Sequence, residues 1–236
     1  MGVTTILVPF HHDERVDLPV PADVTVAPEL PDGDIWTRLT ALYRSVAEVV
    51  EPGDTVVSGD CLVDAGVVAG MQRAGIDPVI VWFDAHGDVH TLDTSTSGYL
   101  GGLSLRLLLG AHRDVFGDRI GFEPLAEEKA VLVDARDLDP AEADYLATSG
   151  IHRTTVHDLD GIPGGPVILH VDVDVIDPAE LPGLLFPAPG GPSRRDVIAA
   201  VAHLRATRDV VAFDIACTWR GGDVGLVADM TAPPRN

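Results

Sequence analysis

Basic side chains are scarce in this chain. Its 236 residues hold 16 Lys and Arg against 37 Asp and Glu, a net charge of −21, and the single lysine is Lys129. No Lys/Arg cluster offsets the acidity, so repulsion excludes phosphate-rich partners such as nucleic acid or an anionic membrane surface. Cysteine is nearly as rare. Cys61 and Cys217 are too few for a disulfide scaffold, and a reducing cytoplasm is the expected location. No apolar run reaches the ~18 residues of a membrane span, and the opening "MGVTTILVPFHHDER" lacks a basic start followed by a cleavable apolar core. Fixed-period repeats and low-complexity segments are missing too. Hydrophobic residues, in contrast, make up 46% of the chain, which excludes a disordered acidic tail. At this length the expectation is one α/β domain over residues 1–236.

Apolar, β-branched runs alternate with helical stretches. Strands are expected over 4–10, 54–60, 78–86, 130–136, 166–176 and 209–216. Each run is continuously apolar, as in a parallel sheet covered on both faces. Helices are expected over 34–50, 61–75, 102–110, 140–150 and 193–207, with Asp34 and Ser193 marking starts and Gly75 and Gly150 marking stops. This alternation predicts a three-layer α/β/α sandwich around a central, mostly parallel sheet, with a site at the carboxyl ends of the strands. The Pro/Gly-rich stretch 178–192 reads as a loop over that site.

Acidic residues interrupt the most hydrophobic strands. "VIVWFDAHGDVH" sets Asp84, His86 and Asp88 at i, i+2 and i+4, which in extended chain point to one face. "VILHVDVDVIDP" repeats the pattern with His170, Asp172 and Asp174. A bare aspartate in a buried strand is costly unless it is paired or bound to a cation. Neither strand carries a Lys or Arg, so two divalent cations are the expected source of neutralising charge. Carboxylates with a neutral imidazole suit Mn²⁺ and its borderline relatives. Each aspartate alone reads better as a loop cap; two same-face clusters together do not.

These motifs resemble a family. "DAHGD" (84–88) with "DVDVIDP" (172–178) is similar to the paired signature of the ureohydrolases, the arginase/agmatinase superfamily. "VVSGDC" (56–61) falls at that family's Gly-Asp-His metal turn, "STSGYLGGLSL" (95–105) at its substrate loop, and "DARDLDPAE" (134–142) at its Arg-Asp-x-Asp-x-x-Glu stretch. The resemblance is strongest to members acting on N-hydroxyarginine, which share a cysteine at the first ligand position and a "GYLGG" segment.

The resemblance implies two manganese ions. Asp84 and Asp172 would bridge them, Cys61 and Asp88 would complete one shell, and His86 and Asp174 the other. A bridging hydroxide would then attack a guanidine or amidine carbon. Asp88, His90 and Asp214 are the catalytic candidates, Asp214 falling where the family keeps a substrate-binding glutamate. Ser97, Asp139 and Glu142 are the candidates for holding substrate. Homo-oligomers, trimers or hexamers, are also implied.

Departures from the family pattern shape the expected chemistry. Cys61 reads either as a thiolate ligand, which adds an anion and tilts metal preference toward Zn²⁺ or Co²⁺, or as a buried neutral thiol. Gly101 stands at the position of the family's proton-shuttling histidine, and His90 and Tyr99 replace asparagines that grip an α-carboxylate. His90 reads as a general acid or substrate ligand, or else as a surface loop residue. Asp139 and Glu142 also suit the start of a helix. His170 reads as support behind the ligands, and His11 and His12 as rim residues. The expected activity is metal-dependent cleavage of a C–N bond in a guanidino or amidino small molecule, with an N-hydroxyguanidine favoured over arginine. The alternatives are an amide or formimino hydrolase on the same scaffold, or a catalytically weak metal-binding homologue.

Overall fold

A computed structural model describes residues 3–232. In chain order its strands are β1 (Thr5–Val8), β2 (Phe10–His11), β3 (Glu14–Arg15), β4 (Val24–Thr25), β5 (Thr55–Ser58), β6 (Val79–Asp84), β7 (Ala130–Asp134), β8 (His152–Thr154), β9 (Val167–Asp172) and β10 (Val210–Ala216). Eight of them form one sheet in the order β4-β1-β5-β10-β9-β6-β7-β8, parallel at every pairing. β2 and β3 make a separate antiparallel hairpin. The helices are α1 (Ile35–Val49), α2 (Asp64–Arg73), α3 (Ser104–Leu108), α4 (Gly117–Ile120), α5 (Pro140–Leu146), α6 (Arg194–Thr207) and α7 (Val224–Thr231).

Strand alternation sorts the apolar runs into two cores. Ile80, Trp82, Leu132, Ile168 and Ala212 face one side, where Leu39, Leu42 and Tyr43 of α1 and Val67 and Val68 of α2 cover them. Val81, Phe83, Val131, Leu169 and Ile215 face the other, against Val197, Val201 and Leu204 of α6 and Leu226 of α7. The three-layer α/β/α sandwich with a parallel sheet is therefore the fold. Even-numbered positions of β6 and β9, and of β10 from Ala212 onward, look toward α1 and α2, and this parity sets Asp84, His170, Asp172 and Asp214 on one face; before Ala212 a register shift in β10 puts Val210 on the other side.

The expected helix starts hold. Asp34 accepts the Thr37 amide at 2.8 Å, and Ser193 caps α6 through the Asp196 amide at 3.1 Å. Gly75, at φ +78°, ends the α2 segment in a left-handed conformation that favours glycine. Gly150 does not play that part, because α5 stops at Leu146 and Gly150 is not left-handed. The expected strand 4–10 is broken after Val8, and Phe10 and His11 turn into the hairpin. Residues 61–63 form a 3₁₀ turn before α2 rather than its first turn. Among the described residues, no helix is long and apolar enough to cross a membrane.

Candidate active site

Strands β6 and β9 deliver Asp84 and Asp172 to a cavity of about 280 Å³ at the carboxyl ends of the strands. β6 ends at Asp84, and the chain then leaves extended geometry. Asp88 enters the cavity through a left-handed backbone at φ +52°, not as the fifth residue of a strand. β9 likewise ends at Asp172, and Asp174 sits in the 3₁₀ turn 173–175. Asp172 caps that turn by accepting the Asp174 amide at 2.8 Å. The side chains converge as expected, but tight turns bring them together rather than strand periodicity.

Asp84, His86 and Asp174 form one compact group: His86 Nδ1 lies 3.2 Å from Asp84 Oδ1 and 3.2 Å from Asp174 Oδ2. Cys61 and Asp84 belong to a second group with His170. Cys61 is held at the mouth of α2 by Asp60, whose Oδ1 accepts the Leu62 amide at 2.8 Å. Its Sγ–H donates to Asp172 Oδ2 at 2.9 Å. Thr218, just past β10, donates to Asp172 Oδ1 at 2.6 Å.

The charges are crowded. Burial and the neighbouring carboxylates push Asp88 and Asp174 well above the usual carboxylate range. Asp172 is raised to about 6 by burial and then by Asp84. Burial would lower the His86 imidazole, but Asp174 and Asp84 overcome it and raise the group to about 12. Burial, with Asp172 next, keeps the Cys61 thiol protonated. The cluster thus gathers more buried carboxyl groups than one imidazolium can keep ionised.

The other candidates take distinct places. His90, Ser97, Asp139 and Glu142 all line the cavity. His90 sets Nε2 3.0 Å from Asp139 Oδ2 and Nδ1 3.1 Å from the Thr94 hydroxyl. Ser97 Oγ accepts the Tyr99 amide at 3.2 Å. Glu142 is fixed by backbone: Oε1 accepts the Val89 amide at 3.2 Å and Oε2 the Asp139 amide at 3.1 Å, completing a capping box with Asp139 on α5. Glu142→Ala is therefore expected to destabilise the protein by about 1–2 kcal/mol, measured as a lower urea midpoint with an unchanged m-value.

The structure does not bring Asp214 to the cavity. It is fully buried two residues below the carboxyl end of β10, where its Oδ2 accepts from His170 Nδ1 at 2.9 Å. Asp64 of α2 approaches the same nitrogen at 2.5 Å. His170 stacks on Trp82 at 3.6 Å between centroids, as support behind the cavity wall. From this strand Thr218, not a carboxylate, reaches the cavity.

A family model described as the arginase family matches residues 9–218. The chain belongs to the arginase family. Arginase from Bacillus subtilis is 33% identical over 180 residues, covering 69% of this chain and 61% of that protein. The N(omega)-hydroxy-L-arginine amidinohydrolase of Streptomyces lavendulae is 29% identical over 217 residues, covering 83% of this chain and 74% of that protein. The chain thus spans about three fifths of the Bacillus arginase. Among solved structures, arginase from Bacillus caldovelox superposes with a TM-score of 0.79 at 20% identity, over 97% of this chain and 96% of that one.

Within this arginase-family fold, sequence reasoning missed two supports of the site. Arg136 donates to the carbonyls of Val175 at 2.9 Å and Ala188 at 2.6 Å and pairs with Asp134, so it ties the 178–192 loop to the end of β7. That loop brings Phe186 to the cavity, as its reading as a site loop requires. Asp64 was the other; its only signal was an acid inside the apolar run "CLVDAGVVAG".

Proposed function

We propose that the chain is a two-metal hydrolase that cleaves a C–N bond of a guanidino or amidino small molecule. The observation that carries this reading is the convergence of Asp84, Asp88, Asp172, Asp174, His86 and Cys61 on one cavity. Their chemistry fits divalent cations: hard oxygens, one imidazole and one thiol, with carboxylates whose raised affinity for protons marks unmet demand for positive charge. Asp84 and Asp172 would lie between two ions, with Cys61 and Asp88 on one side and His86 and Asp174 on the other. Manganese is the first expectation, and the thiol favours cobalt or zinc. Such a pair supplies Lewis acidity and makes water nucleophilic at neutral pH.

The chain's own residues would select and orient the substrate. Among the described residues no Lys or Arg lines the cavity, and its acidic side chains outnumber its histidines, so it attracts a cationic group. Asp139, held by His90, is the carboxylate at the rim that would take a substrate ammonium, and the Ser97 hydroxyl is a neutral partner in the same cavity. Because Thr218 stands where a carboxylate was expected, a guanidinium is not clasped from β10. That arrangement favours a substrate with its own additional polar handle, as in an N-hydroxyguanidine. The hydroxyarginine amidinohydrolase relative supports this choice.

The test is product release from arginine, N-hydroxyarginine, agmatine, guanidinobutyrate and formiminoglutamate by protein loaded with manganese, cobalt or zinc. Urea or hydroxyurea from a guanidino compound is expected, with N-hydroxyarginine turned over faster than arginine. Turnover of formiminoglutamate alone would replace the guanidino reading, and no turnover of any compound would overturn the hydrolase reading.

A further inference from the structure

A C–N bond of the proposed class breaks as its leaving nitrogen gains a proton, so some group at the cavity must hold one. His90 is poorly placed, since Asp139 and Thr94 occupy both of its ring nitrogens. Tyr99 is placed differently. Its ring fills the space beside Gly101, where a Cβ would come within 2.4 Å of Tyr99 Cε1, and it borders the same cavity. Its hydroxyl oxygen sits on the same edge, 2.7 Å from where that Cβ would be, and also lies 3.4 Å from His11 Nε2. His11 Nδ1 is 2.8 Å from the Gly59 carbonyl oxygen. A carbonyl only accepts, so Nδ1 carries the hydrogen and Nε2 is the nitrogen that faces the phenol.

The Tyr99 ring is packed against Phe186 at 4.5 Å and His12 at 5.0 Å between centroids, which limits its swing. His11 is only half-buried, so its imidazole exchanges protons with bulk water. Burial, and then Asp60, keep the Tyr99 hydroxyl protonated, the state required of a donor. The 3.4 Å separation is long for a hydrogen bond, and such contacts tighten once substrate fills a site.

We propose that Tyr99 and His11 form a two-residue proton relay to the leaving nitrogen, an inference that rests on the C–N hydrolase reading. As the C–N bond breaks, its electron pair goes to nitrogen, which takes the proton from Tyr99 Oη. The proton on Nε2 of an imidazolium His11 moves to Tyr99 Oη, so the phenol is restored and His11 becomes neutral. Solvent returns one proton to His11; the attacking water, as its oxygen bonds to carbon, surrenders both of its protons, one to solvent and one to the freed amine, so each turnover closes without net change.

Two conservative variants test the relay. Tyr99→Phe keeps the ring beside Gly101 but removes the hydroxyl. His11→Asn keeps an N–H for the Gly59 carbonyl but removes Nε2. Each is expected to lower kcat by on the order of 10²-fold while KM changes less than about threefold. The double variant is expected to be no slower than Tyr99→Phe, because both changes break one path. Added imidazole is expected to restore turnover to His11→Asn and not to Tyr99→Phe, a response that lost packing would not give. Nitrogen NMR of the metal-free protein is expected to show the His11 Nε2 resonance moving in Tyr99→Phe. An unmoved resonance, multiplicative losses, or variants as fast as an active wild type would each overturn the relay and leave the hydrolase reading intact. A wild type inactive on the whole panel would overturn the hydrolase reading, and the relay's function with it.

Discussion

Asp172→Ala is expected to yield a folded protein that retains no divalent cation after dialysis, where the wild type retains close to two per chain. Asp172 is the hub of the cluster: Cys61 donates to one of its oxygens, and Thr218 and the Asp174 amide donate to the other. A carboxylate lying between two ions takes part in holding both, so its loss exceeds the ~10–100-fold weakening expected from removing a supporting group. Elemental analysis after loading with manganese, cobalt or zinc measures it. Retention of even one tightly held ion would show that Asp172 does not bridge.

The same variant changes how the metal-free protein responds to pH. The Asp172 carboxyl is raised to about 6, against about 3.9 in an unfolded chain. Between those values the native state binds more protons than the unfolded state, so stability falls as pH rises. The stabilisation from this group is full below about pH 3.9 and is lost as pH rises through about 6. Metal-free wild type is therefore expected to have a lower denaturation midpoint at pH 8 than at pH 5, and Asp172→Ala a shallower fall. Bound cations compensate the same charge and are expected to flatten the wild-type profile.

Cys61 gives the second large effect. Without cations its thiol donates to Asp172 and stays neutral; as a ligand it would be a thiolate, leaving four aspartates and one thiolate around two divalent ions. Cys61→Ala is expected to weaken one ion and spare the one assigned to His86 and Asp174. The cobalt form of the wild type is expected to show a sulfur-to-metal charge-transfer band that both Cys61→Ala and Cys61→His lack. Cys61→His removes one anion, so the attacking water should ionise at lower pH and the rising limb of the pH–rate profile should move the same way. A thiol that serves only as packing predicts something else: Cys61→Ala costs about 1 kcal/mol and leaves two ions bound with unchanged affinity.

Much of this was legible from residue order. Continuous apolar runs marked the six longer strands, because burial on both faces leaves no polar alternation to disguise them. The strands β4 and β8 were not legible; they are two and three residues long and lie at the sheet edges, with too few side chains for a pattern. The short β2–β3 hairpin and helices α4 and α7 went unread as well. The cavity aspartates were identified from the charge they could not otherwise neutralise. The geometry that unites them was not, because the left-handed turn at Asp88 and the 3₁₀ turn at Asp174 lie past the strand ends. Asp214 was misplaced for a related reason. Counting along β10 locates the face correctly but not the depth, and the strand runs on to Ala216 before Thr218 meets the cavity.

The stacking of Trp82 on His170 also has an optical consequence. Trp82 is fully buried, lies face to face with an imidazole, and donates its indole N–H to Asp84 Oδ2 at 3.1 Å. Its emission therefore senses both the protonated ring beneath it and the carboxylate proposed to bind cation. An imidazolium in that stack quenches indole fluorescence, while a change in the electrostatic load on Asp84 shifts the field along the indole. The fold thus carries a built-in chromophore one hydrogen bond from the cavity, through which filling of the site can be followed without a label or a substrate.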